Sequence, residues 1–347
     1  MNELFARMDV ASQQFAERVT RLAPPPPSLA RLSRTRAAVA RELLMQRHHD
    51  VMRVHQECRA DRERGREAIG QLAAELVAAL RAAVAGGAPP SSFAGISARI
   101  DARLPSDAME YIDDPTFPEA RRTAAMRRLD GLNRLLGSYV RFLHALEPLL
   151  GPRPGAPVTV LDLASGHAGF AIALARLARA RGLTLRVIAS DLRDEYLEVG
   201  RRRAADEGVE VEFRVVDAFH IDRAFAPREI DVITCTQSLH HFGPAMVAGL
   251  VAESVRAAGR GILFIDPLRS VTNLLLLGAL TWFGSLDPAF FHDATLSIRK
   301  SFVPEELGLV ARCAPGGDSL EAFFLPPGFS ALRTRLDRLG LGASPAA

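Results

Sequence analysis

From residue 158 onward the chain alternates two kinds of hydrophobic pattern. Short apolar runs rich in β-branched residues, VTVLDL at 158–163, LRVIASD at 185–191, VEVEFRVVDA at 209–218, IDVITCT at 230–236 and GILFIDP at 261–267, end near an acid or at a proline. Such runs predict buried parallel strands, which need helical crossovers between them. The intervening stretches supply these: AIALARLARA at 171–180 is a strong helix former, and YLEVGRRRAADEG closes on Gly208, a plausible C-terminal cap. Gly166 and Gly169 let the backbone turn tightly between the first strand and its helix. The whole reads as an α/β, Rossmann-like fold with a seven-stranded, mostly parallel sheet. Its last two strands come from EAFFLPPGFSALRTRL at 321–336, a short segment interrupted by Pro326 and Pro327.

The first third has a different period. Leu4, Met8, Ala11, Phe15, Val19 and Leu22 form one helical stripe that stops at Pro24 to Pro27. A helical region follows over 28–84, with weak points at Gly65 and Gly70 and an apolar stripe of Ile69, Leu72, Leu76, Leu80 and Val84. GGAPPSS at 86–92 reads as a linker. These breaks predict a helical extension over residues 1–105, acting as a lid or as a dimer contact, and a second domain over residues 106–347. In that second part EYIDDP at 110–115 precedes a helical stretch at 127–150. The segment 268–293 carries no charge between Arg269 and Asp287. Too polar in places for a membrane span, it predicts a helix lining an apolar pocket, with membrane-surface docking as the alternative.

Composition narrows the class. At 347 residues and 48% hydrophobic content the chain supports a sizeable core. Cys58, Cys235 and Cys313 are too scattered for a disulfide framework or a metal cluster, and MNELFARMDV lacks a signal-peptide pattern, so a cytoplasmic enzyme without a metal is expected. The pI of about 9.0 invites a nucleic-acid reading, yet the net charge is +3 and Lys300 is the one lysine among 43 basic residues. The excess of basic residues sits in 1–105. His48, His55 and Cys58 share a helical face but lack a fourth ligand, and the arginines of 53–66 are interspersed with acids, so both read as solvated surface.

The order of these motifs resembles the class I S-adenosylmethionine-dependent methyltransferases over roughly residues 106–347, in particular the subgroup acting on quinones, phenols and other small molecules. The resemblance implies S-adenosylmethionine as cofactor. Asp162 and the turn Ala164, Ser165, Gly166 and Gly169 look like the motif that wraps its methionine end; Asp191 with Leu192 looks like the ribose site; Asp217 with Ala218 resembles the loop beside the adenine. TQSLHHF at 236–242, with Gln237, is similar to the segment after strand four. Arg134, Ser138 and Tyr139 resemble lid positions. The family's turn carries glycine where this chain has Ala164 and Ala168; alanine fits there if the backbone stays at negative φ, with Gly169 as the flexible residue.

The residues give this chemistry a basis of their own. A carboxylate accepts two hydrogen bonds from a vicinal diol, which suits Asp191. His240 and His241 are candidate bases, since histidine titrates near neutrality; the alternative is that one packs inside while the other shapes the pocket. His292, Asp293 and Arg299 are candidates for orienting a polar group of the acceptor. Lys300 follows Arg299 rather than glycine, and Leu296 stands four before it, which excludes a phosphate-binding GxxxxGK loop and a Tyr-x-x-x-Lys reductase pair. The expected reaction is methyl transfer to an oxygen or carbon of a small, largely apolar, aromatic or quinonoid acceptor. A non-catalytic cofactor-binding scaffold and, further off, an RNA methyltransferase are the alternatives; a homodimer is compatible, and nucleic acid is not the expected partner.

Overall fold

The computed structural model describes residues 27–87, 93–151, 156–285 and 287–339. The stripe from Leu4 to Leu22 lies outside them. Among the described residues seven strands form one sheet: β1 (Val158–Leu163), β2 (Leu185–Asp191), β3 (Glu212–Val215), β4 (Val232–Thr236), β5 (Gly261–Pro267), β6 (Leu320–Leu325) and β7 (Phe329–Thr334), in the order β3-β2-β1-β4-β5-β7-β6. β7 is antiparallel to β5 and β6, and the strands from β3 to β5 are parallel. Asp162 pairs in register with Ala189 and Thr234, so the carboxyl ends of β1, β2 and β4 come out together.

Two-residue alternation sorts the core into two layers. Leu161, Leu163, Ile262 and Phe264 face one side; Val158, Val160, Leu263 and Ile265 face the other. The second side is covered by α6 (Ser138–Leu150) and α7 (Gly169–Ala180), with α8 (Asp194–Glu207) packed beside them. The first is covered by α9 (Pro244–Ala257) and α12 (Pro304–Cys313), and behind these lie α1 (Pro27–Gln46), α2 (His48–Ala60) and α3 (Arg62–Gly87). Ile69, Leu72, Ala73, Leu76, Val77, Leu80 and Val84 all turn one face of α3 into this same core. At about 1.5 to 3 kcal/mol per fully buried large aliphatic side chain, that face is among the larger contributions to the fold.

Charged groups fix this outer layer as well. Glu306 on α12 accepts from Nη1 and Nη2 of buried Arg269 and, at 2.7 Å, from Arg81 Nε on α3. Arg36 on α1 pairs with Asp101 on α4 (Phe93–Arg103), which lies 3.9 Å from Arg269. Leu104 is buried, and its carbonyl accepts from Arg299 Nε at 3.0 Å, so packing runs on across residue 105.

Several boundaries differ from the sequence expectation. The helical region expected over 28–84 is three helices, broken at Arg47 and Asp61 rather than at the glycines, and Asp61 Oδ1 accepts from the amides of Glu63 and Arg64 and caps α3. Gly65 and Gly70 are helical instead: a Cβ on Gly65 would lie 2.3 Å from Cys58 Cα, and one on Gly70 3.2 Å from Ala245, so these glycines serve close packing. The stretch 127–150 is two helices, α5 (Glu119–Leu135) and α6, hinged at Gly137 with φ of +65°. The apolar segment after β5 is also two, α10 (Val271–Ser285) and α11 (Pro288–Lys300), the second capped by Asp287. Pro326 and Pro327 stand in the turn of the β6–β7 hairpin, which explains two prolines between sound strands. Arg53 and Arg62 pair with neighbouring acids, and His55 bonds the Cys313 carbonyl at 3.1 Å.

Candidate active site

The carboxyl ends of β1, β2 and β4 open on a cavity of about 270 Å³. Asp162, Ala164, Ser165, Gly166, Gly169, Asp191 and Gln237 all line it. Asp191 holds the glycine turn, accepting from Gly166 N at 2.9 Å on one oxygen and from Arg193 N at 3.0 Å on the other. Each oxygen keeps a lone pair for a further donor. Burial pushes the Asp162 carboxyl up to about 7; the hydrogen bond from Thr234 opposes this, and the Asp191 charge adds to it.

The turn is tighter than the sequence suggested. Ala164 and Ala168 sit at φ of +48° and +57°, in the left-handed region, not at negative φ. The strain costs roughly 1 to 2 kcal/mol per residue and is of the kind found at ligand sites. Gly169, by contrast, is helical. It is small because a Cβ there would lie 2.5 Å from the Tyr139 hydroxyl and 2.6 Å from Asp130 Oδ1. Tyr139 donates to Asp130 at 2.8 Å, and Arg134 and Arg203 hold the other Asp130 oxygen at 3.0 and 2.6 Å, so α5 and α6 are pinned over the turn. Tyr139 thus reaches the cavity, Arg134 turns to Glu207, and Ser138 opens on the neighbouring cavity.

Leu192, Asp217 and Ala218 are not in the cavity wall. Leu192 is 70% exposed, and Asp217 caps its own loop, accepting from Phe219 N at 2.9 Å and pairing with His220 at 2.7 Å. His167, absent from the sequence expectation, does line the cavity. Buried and without a hydrogen-bond partner on either ring nitrogen, it is held down at about 4 by burial and by the charge of Arg203.

A second cavity of about 330 Å³ shares Ile112, Met126, Leu129, Asn133, Gln237 and His241 with the first. Asn133 and Gln237 exchange two amide hydrogen bonds, at 2.6 and 3.0 Å, across the junction. His241 Nδ1 lies 3.0 Å from Asp113 Oδ2, an arrangement that favours the tautomer with a free lone pair on Nε2. His240 is buried with Nδ1 2.9 Å from Asp266 and Nε2 4.0 Å from Glu110. Burial would lower its pKa, but the charge and hydrogen bond of Asp266, with Glu110 behind, outweigh burial and raise it. A ring so held is better fitted to donate a hydrogen bond than to take a proton. Glu110, His240 and His241 bring ligand atoms within 4.8 Å of one another, and Lys300 Nζ at 3.3 Å from Glu110 already supplies a cation there.

The far wall is apolar: Leu276 and Leu277 from α10, and Phe290, Ala294 and Ile298 from α11, which also adds Asp293 and Ser297. Those α11 positions follow the i, i+3, i+4, i+7, i+8 rule for one face. His292 and Arg299 are seven residues apart on a different face: His292 meets Tyr111 and Asp293, Arg299 the Leu104 carbonyl, and neither lines the cavity. Asp113, Glu110, Asp266 and Asn133, besides His167, are residues that sequence reasoning left without roles. The signal was there for two of them, in EYIDDP, and for Asp266 at the end of β5.

A family model described as a methyltransferase domain matches residues 160–261. A ubiquinone/menaquinone biosynthesis C-methyltransferase UbiE from Ralstonia pickettii strain 12J is 32% identical over 189 residues, 52% of this chain and 74% of the relative. Its counterpart from Cupriavidus pinatubonensis is 29% identical over 190 residues, again 52% and 74%. Among solved structures, the magnesium protoporphyrin IX methyltransferase ChlM from Synechocystis PCC 6803 with bound SAM is similar at 12% identity and a TM-score of 0.42, covering 66% of this chain and 98% of that one. Strand-end acids around a glycine turn, in the order found here, and the extent of likeness to the Ralstonia enzyme lead to one assignment: the chain belongs to the class I S-adenosylmethionine-dependent methyltransferases.

Proposed function

We propose that the enzyme transfers the methyl of S-adenosylmethionine to an oxygen or carbon of a small, largely apolar acceptor of aromatic or quinonoid type. The observation that carries this reading is the apolar cavity that abuts the strand-end cavity, with His241 and Gln237 in the common wall. The names of both UbiE relatives support quinonoid chemistry and transfer to carbon.

The cofactor brings a methyl already activated on a sulfonium, so the protein's contribution is chiefly proximity, orientation and proton handling. In this reading Asp191 takes the ribose hydroxyls, Asp162 and the turn 164–169 seat the methionine end, and Gln237 fixes the junction. Leu192, Asp217 and Ala218 form the open rim towards the adenine. His241, oriented by Asp113, removes the acceptor proton; His240, held between Asp266 and Glu110, donates a hydrogen bond to the oxygen on which charge develops. Asp293 keeps its expected place beside the acceptor, with Ser297 in place of His292 and Arg299. Residues 27–103 act as an outer layer of the same core. The test is transfer of a labelled methyl from the cofactor to a panel of phenols and hydroquinones, with the product site located by NMR. Labelling of ring carbon or hydroxyl is expected; no transfer at saturating cofactor, or transfer to RNA alone, overturns the reading.

A further inference from the structure

Arg141 lines the acceptor cavity yet is 2% exposed, on α6 among the core side chains Val140, Phe142 and Leu143. Its side chain makes one long contact, Nη2 to Ser138 Oγ at 3.4 Å, while Nε and Nη1 have no hydrogen-bond partner. Among the described residues no carboxylate pairs with it. The two acids of the same wall are engaged elsewhere: Glu110 with Lys300 and Ser297, and Asp293 with the amides of Tyr111 and Ile112. Burial draws its pKa down to about 10, so the guanidinium is still charged at neutral pH. A buried cation without a counter-ion is costly, and guanidinium groups match carboxylates in shape and charge.

We propose that Arg141 recognises a carboxylate carried by the acceptor, so that the substrate class is an apolar aromatic or quinonoid acid. The proposal rests on the reading of this cavity as the acceptor site. A single guanidinium facing a wall that also holds Glu110 and Asp293 suits a monoanion and not a phosphate dianion. The cofactor's own carboxylate is the competing occupant, and Arg141 is absent from the wall of the cofactor cavity.

The experiment uses the full chain saturated with S-adenosylhomocysteine and titrates 2-naphthoate and its neutral isostere 2-naphthamide by calorimetry. Wild type is expected to favour the acid by at least about tenfold, Arg141→Met to lose that preference, and Arg141→Lys to keep part of it, with homocysteine-cofactor affinity unchanged throughout. Equal or absent binding of the acid by the wild type, or undiminished preference in Arg141→Met, overturns the proposal. So does a tenfold loss of S-adenosylhomocysteine affinity in Arg141→Met, which would give Arg141 to the cofactor. Should Arg141→Met unfold, Arg141→Lys decides: full preference for the acid with weakened folding marks the arginine as structural. Methyl transfer to neutral phenols without acid preference sinks this proposal alone. Arginine-dependent binding of the acid with no transfer to any acceptor sinks the functional reading instead.

Discussion

Arg269 and Arg141 are buried to the same degree, 1% and 2% exposed, in utterly different company. Arg269 donates from both terminal nitrogens to Glu306 and to the Ser301 carbonyl, with Asp101 3.9 Å away. Arg141 has a single stretched contact to Ser138. The first belongs to a network that joins α1, α3, α4 and α12, and its charges are settled by the protein itself. The second lies in a cavity wall, where protein charge is left for something else to complete. The same contrast separates Glu306, both of whose oxygens are taken up by arginines, from Asp191, which accepts from two backbone amides and keeps a lone pair on each oxygen in the wall of the cavity of about 270 Å³. Buried polar groups that are paired hold this molecule together, and those left open define its chemistry.

If the division is real, substitutions on its two sides should affect different observables. The largest effect is expected at the open side. His241→Ala should lower turnover on a phenolic acceptor by roughly 10² to 10⁴ fold while leaving the unfolding midpoint and cofactor affinity close to wild type. Steady-state kinetics beside calorimetry would show this, and full turnover across pH 6 to 9 would remove His241 as the base.

On the paired side, Arg269→Met should cost about 3 to 5 kcal/mol of stability, because Glu306 then stays buried beside Arg81 alone. Urea unfolding measures it. A loss below about 1 kcal/mol would mean that the network is no more structural than the cavity wall.

A pH titration sharpens the same point. Glu306 is fully buried, yet the charges and hydrogen bonds of Arg269 and Arg81 outweigh burial and hold its carboxyl down at about 2, against an ordinary value near 4.5. A folded-state value below the unfolded one gives stability that is complete above about pH 4.5 and lost as pH falls towards 2. The contribution at neutral pH is on the order of 3 kcal/mol. Stability followed from pH 6 to 2.5 should therefore fall more steeply in wild type than in Glu306→Gln; parallel curves would contradict the assignment.

The smallest effect concerns the strained turn. Ala168→Gly removes the left-handed penalty and the buried methyl together, and a net stabilisation of up to about 1 kcal/mol is expected, with cofactor affinity preserved. A clear destabilisation would show that the methyl packs to better purpose than the strain costs.

Much of this fold can be read in the sequence because its signals are local. Two-residue alternation in β1 and β5, the acids at strand ends and the α3 stripe each follow from a period that burial enforces. The His241 and Gln237 segment is legible for the same reason, as it abuts a strand end. What escaped depends on placement in three dimensions. Nothing in a chain with 43 basic residues marks Arg141 as buried in a cavity wall with a single long hydrogen bond. His292, Asp293 and Arg299 looked equally suitable by type, and the turn of the helix puts Asp293 in the cavity wall with Ser297 while it sends the other two away. The positive φ at Ala164 and Ala168 is invisible where glycine is missing.

The central claim is that methyl transfer crosses the wall shared by the two cavities. A crystal structure of the S-adenosylhomocysteine complex tests it most directly. The account predicts the sulfur at the junction formed by Met126, Gln237 and His241, facing the apolar cavity, with the ribose hydroxyls on Asp191. A sulfur turned away from that junction, or a cofactor whose carboxylate occupies Arg141, would contradict it.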